Sequence, residues 1–166
     1  IQSNALTDLK VEIPAGTFFV ADNPSSQNMV VRHPLTTLIQ PLGAVDINLD
    51  VACANLRREE PTAQDTFTIQ RTPTPPDLVD VIDRLNSNKV SYAIEQAAIW
   101  IVTDDATYDE LGILVGVSRL GEPLINEPET VRALMLLEEA GIDIKKHSIW
   151  LDVEQLYTAV TEPDLI

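Results

Sequence analysis

The sequence holds one cysteine, two methionines and six glycines, and aromatic residues fill only 5% of its 166 positions. A single thiol cannot close an intramolecular disulfide, and an exposed one would be a liability in an oxidising compartment, so Cys53 is expected to be buried or chemically engaged. Basic residues are also scarce: 11 Lys plus Arg face 26 Asp plus Glu, a net charge of −15. That balance repels phosphate backbones and anionic bilayers, which argues against nucleic acid as a partner. No apolar run approaches the roughly 20 residues a membrane span needs, so no membrane insertion is expected of this segment. The first residues lack a basic-then-apolar leader pattern. The chain begins at Ile1 rather than Met, which points to a processed or excised piece, so a signal or anchor removed from it would leave no trace in this segment.

What is present is ordinary globular material. The hydrophobic fraction is 45% and the charged fraction 22%, enough for one domain burying about 70% of its unfolded surface. The first half reads as β structure. LKVEI (9–13), a turn at 14–16 and FFV (18–20) predict a strand–turn–strand unit, and MVVR (29–32) and LTTLI (35–39) predict two more strands around Pro34. The cleanest alternation places Val45, Ile47, Leu49, Val51 and Cys53 on one inward row of a long strand. TFTIQR (66–71) closes this half, and TPTPP (72–76) is a stiff boundary.

Helical periodicity follows. Thr74 and Asp77 predict a capping box ahead of LVDVIDRL (78–85), and a second helix spans 91–103. GILVGV (112–117) has no assignable state. Asn126 and Glu129 cap PETVRALMLLEEA (128–140), which Gly141 ends; Asp152 is expected to cap VEQLYTAV (153–160), with Pro163 beyond. The fold class is therefore α+β: a β-rich N-terminal half (1–72), sandwich or barrel-like, packed on a C-terminal bundle of helices (73–166). Together they form one compact domain.

The helix at 91–103, SYAIEQAAIWIVT, contains an anomaly. At 3.6 residues per turn Tyr92, Gln96, Ile99, Trp100 and Thr103 share one face, while Ser91, Glu95 and Val102 fall on another. A buried, unpartnered amide costs roughly 1–3 kcal/mol, so Gln96 needs a hydrogen-bond partner or a chemical use. The expected partner is Cys53, at the end of the best strand. A thiol and a carboxamide held together on rigid elements can condense, with loss of ammonia, to an internal thioester, an electrophile that acylates amines or hydroxyls.

The segment IEQAAIW (94–100) resembles the Gln motif of the thioester domains on bacterial surface adhesins, through Gln96, Ile99 and Trp100. The resemblance implies a bond from Gln96 to an upstream cysteine in a β-rich region, the place Cys53 occupies in VACANL. It also implies a secreted or surface-displayed adhesion module, not an enzyme, that needs no cofactor or metal and captures a protein or surface ligand through a nucleophilic amine or hydroxyl. Tyr92, Ile99 and Trp100 would shield the bond, with Asn55 as a polar neighbour of the sulfur.

Other readings compete. Cys53 can be an inert small hydrophobe in a non-covalent interaction or structural domain, and Asn55 an ordinary turn residue. His33 or His147 could serve Cys53 as the base of a cysteine hydrolase. The acidic run at Asp104, Asp105, Asp109 and Glu110 lacks the spacing and glycine of a calcium loop, and Thr107 with Glu110 reads as a capping box. Lys145, Lys146 and His147 read as a solvated loop.

Overall fold

The computed structural model describes residues 1–111 and 125–160; GILVGV and Pro163 lie outside them. Six strands precede the helices. β1 (Leu9–Ile13) pairs antiparallel with β4 (Leu35–Ile39), Leu9 opposite Ile39 and Ile13 opposite Leu35. β2 (Phe18–Ala21), β3 (Asn28–Val31), β5 (Val51–Ala54) and β6 (Phe67–Ile69) form a second antiparallel sheet in the order β5-β3-β2-β6. The helices are α1 (Pro76–Asn88), α2 (Tyr92–Asp104), α3 (Tyr108–Leu111), α4 (Glu127–Glu139) and α5 (Val153–Ala159), with two 3-10 turns between α4 and α5. The fold is α+β, with strands first and helices after.

β1, a turn and β2 follow one another as expected, and the two strands belong to different sheets. The Pro14–Thr17 turn, with Gly16 at φ +82°, carries the chain from one sheet to the other, and a positive φ is what glycine permits at no steric cost. The long strand ending at Cys53 is shorter than its alternation predicts: only Val51–Ala54 is ladder-bonded, although Val45, Ile47 and Leu49 remain half-buried and Asp46, Asn48 and Asp50 exposed. A period of two sets which side each residue faces, but a strand needs a neighbour with free backbone groups. β3 ends at Val31, one further bond joins Arg32 N–H to the Asp50 carbonyl (2.8 Å), and Pro34 then has no N–H to donate.

α2 is the hub of the helical half and packs on α1, α4 and β5. A helix covered on several sides must be apolar nearly all round, and Ala97, Ala98, Ile99, Trp100 and Ile101 have no exposed surface. Ser91 caps its first turn, accepting from Ile94 N–H. Ala52 and Ala54 of β5 are likewise without exposed surface; small residues on both elements let the backbones approach closely. One core runs from Val30 and Ala52 through α1, α2 and α4 to Ile149 and Leu156.

The helix caps divide. The box at Asn126 and Glu129 is complete, and Gly141 ends α4 at φ +84°. Glu110 reaches back to Thr107 N–H (3.0 Å) at the start of α3. Thr74 does not cap α1: the N-cap is Pro75, and the Thr74 hydroxyl instead donates to the Gly16 carbonyl at 2.6 Å, tying the helix start to the inter-sheet turn. Asp152 does not cap α5 either. Its carboxylate accepts Tyr108 N–H at 2.9 Å and so caps α3, from 44 residues away.

Candidate functional site

β5 carries Cys53 toward α2, and α2 returns Gln96 to it. The Gln96 carboxamide lies against the Cys53 peptide: Nε2–H donates to the Cys53 carbonyl (2.7 Å), and Oε1 accepts Cys53 N–H (3.0 Å). The Tyr92 hydroxyl, one turn back along α2, donates to the same Oε1 at 2.9 Å. Both lone pairs of the carbonyl oxygen are therefore engaged. Gln96, at 1% exposure, is among the most buried polar residues of the chain.

The Tyr92 hydroxyl that bonds the amide carbonyl is also one of the groups that bear on the Cys53 thiol. Burial, reinforced by the Glu60 carboxylate, pushes the thiol up to about 11, against the lowering effect of the Tyr92 hydrogen bond. Burial and the neighbouring Cys53 hold the Tyr92 phenol at about 12, with Arg32 pulling the other way. Both groups keep their protons at neutral pH. A neutral thiol is a poor free nucleophile but survives intact until an electrophile is held against it.

Cys53 is only half-buried, and the fully buried row of β5 is Ala52 and Ala54, so Cys53 does not continue an inward row. Ala52 belongs to the buried core, while Cys53 packs at its margin, where the Gln96 side chain bonds the strand's backbone. The three expected shields also separate. Ile99 and Trp100 have no exposed surface, whereas Tyr92 is 49% exposed, its ring forming the rim and its hydroxyl reaching inward. Asn55 stands at φ +70° where the chain leaves β5; its N–H bonds to the Asp104 carboxylate at 3.0 Å, and its side-chain oxygen is buried without a partner among the described residues. A cleft of about 270 Å³ opens beside it, between Phe18, Ala54, Asn55, Leu78 and Val102.

A second layer escaped the sequence reading. Glu95, placed there on another face, is 4% exposed and pairs with Arg32 at the end of β3. The Arg32 guanidinium in turn lies 4.9 Å from the centre of the Tyr92 ring, a cation–π contact that fixes the ring supplying the donor hydroxyl. The available signal was one charged residue inside an otherwise apolar stretch, since such a charge must be paired when buried.

The histidines are committed elsewhere. His33 bonds Asn86, and His147 lies 3.4 Å from Asp105. The acidic run is dispersed among structural partners: Asp104 to Asn55, Asp105 to Ser148 and Glu110 to Arg57. Lys145 lies over the Trp150 ring, 5.5 Å from its centre, and Lys146 pairs with Asp143. No protein family, no curated protein and no solved structure matches the chain.

Proposed function

We propose that this chain is a covalent capture module: Cys53 and Gln96 condense to an internal thioester, which a docked partner opens with an amine or hydroxyl. The observation that carries the reading is the Gln96 carboxamide clamped against the Cys53 peptide, its oxygen also bonded by the Tyr92 hydroxyl. Condensation forms the Sγ–Cδ bond and breaks Cδ–Nε2; the thiol proton leaves with the nitrogen as ammonia. Capture then forms an amide or ester to the partner and returns the thiol. Each molecule acts once, so the module is not an enzyme. The net charge of −15 draws a cationic surface, which favours lysine amines as the attacking groups. A secreted or surface setting follows from this use. No described helix is long and apolar enough to cross a membrane.

A second reading rests on the same contact. The two bonds to Cys53 and the one from Tyr92 satisfy a buried amide completely, as a non-covalent interaction or structural domain with an inert thiol would require. Intact mass separates the two. A thioester makes the chain lighter by one ammonia, and methylamine restores that mass plus its own difference and exposes one thiol. An unshifted mass with a free thiol leaves only the second reading.

A further inference from the structure

We propose that Tyr92 is a catalytic residue of this site, its hydroxyl forming with the Cys53 N–H a two-donor pocket for the Gln96 carbonyl oxygen. The inference rests on the Cys53–Gln96 thioester reading and assigns it a machinery. Oε1 receives Tyr92 O–H at 2.9 Å and Cys53 N–H at 3.0 Å. Those are the distances at which paired donors stabilise the charge that builds on a carbonyl oxygen as its carbon becomes tetrahedral. The donors are preorganised: one is backbone in a paired strand, and the other is a phenol whose ring lies beneath Arg32, which Glu95 anchors.

As Sγ adds to Cδ, the two donors take up the charge growing on Oε1. Collapse of the tetrahedral centre breaks Cδ–Nε2, and the thiol proton leaves with the nitrogen as ammonia. In capture, a partner amine adds to Cδ, its surplus proton goes to the departing sulfur, and the Cδ–Sγ bond breaks. Atoms and charges balance in both directions. Arg32 and Glu95 are positioning residues that act through the ring.

Tyr92→Phe tests this in the full chain. The ring and both Gln96–Cys53 bonds remain, so circular dichroism and thermal unfolding stay close to those of the unchanged protein. The expected result is that ammonia loss on first folding, read by intact mass, slows by about 10²–10³, and that methylamine opening of whatever thioester forms, read by thiol release, slows by a similar factor. Formation and opening at unchanged rates would overturn the assignment while the thioester reading stands. Absence of ammonia loss from the unchanged protein would remove both. A measurement without any variant keeps the inference testable should Tyr92→Phe not fold: with carbon-13 in the glutamine carbonyls, the thioester stretch of the unchanged protein should fall at lower wavenumber than that of an alkyl thioester in an apolar solvent. An equal wavenumber would show that the carbonyl has no donors.

Discussion

Gln96 hydrogen-bonds both backbone groups of Cys53, giving its amide N–H to the carbonyl and taking the peptide N–H on its oxygen. A side chain here occupies the place a neighbouring strand would otherwise fill, so the contact between β5 and α2 is polar at its centre and apolar around it. What satisfies the amide also fixes its carbonyl against the Cys53 peptide.

Replacing Gln96 by Leu should therefore cost more than a surface substitution. Two partly buried backbone groups lose their partners while the volume stays filled, an expected loss of about 2–4 kcal/mol in urea unfolding. A loss under about 1 kcal/mol would mean that the Cys53 peptide finds other partners.

Glu95→Ala leaves Arg32 charged and largely buried, and the expected destabilisation is about 3 kcal/mol. The Arg32→Met, Glu95→Ala double variant should recover part of it. A double-mutant cycle with no coupling would show that the pair contributes independently. Thioester formation should slow in the single variant, because the Tyr92 ring loses its support.

In Gln96→Ala the thiol is free, and Glu60 and the burial given by the remaining core still raise it. Alkylation by iodoacetamide should be slow at neutral pH and accelerate about tenfold per pH unit toward 11. Stability should follow. The folded chain holds this proton more tightly than the unfolded one, with its ordinary value of 9.0, so the contribution is full below about 9 and is lost as pH rises to about 11. An alkylation midpoint near 9 would contradict the buried setting.

Asp65 predicts an opposite dependence at low pH. Its carboxylate accepts from Thr62 N–H, the Ser26 and Thr62 hydroxyls and Asn23, and these bonds, led by that to the Thr62 backbone, hold it down to about 2. A depressed folded value contributes above the ordinary 3.8 and is lost as pH falls through about 2. Exchange protection of the Thr62 amide should fall over that window, and in Asp65→Asn it should be low throughout and insensitive to pH.

At α4 two local changes separate capping from backbone strain. Asn126→Ala removes an acceptor for Glu129 N–H and should cost about 1 kcal/mol. Gly141→Ala meets no atom of the described residues within 4 Å, so its expected cost, also about 1 kcal/mol, comes from φ +84°.

The local elements were legible because their causes are local. Period-two stretches at 9–13 and 35–39 became β1 and β4, and the Asn126–Glu129 box opened α4, since neighbours in sequence supply the whole signal. Partners were less so. Asp152 looked like a cap for the helix that follows it and caps α3 instead, because a carboxylate binds whichever unpaired N–H the packing brings near. That β1 and β2, joined by the expected turn, belong to different sheets was hidden for the same reason: pairing depends on which edge is free, and alternation cannot say.

By itself the sequence determined that Gln96 sits in a helix too apolar to leave an amide unpartnered, and that one thiol lies upstream on a strand. Periodicity and polarity are properties of the chain alone. Only the tertiary structure decided that the two meet, that the contact runs through the Cys53 backbone, and that Tyr92 serves as a donor at the rim and not as a buried shield. Those facts depend on how close α2 packs to β5, which small residues permit and only the assembled core enforces.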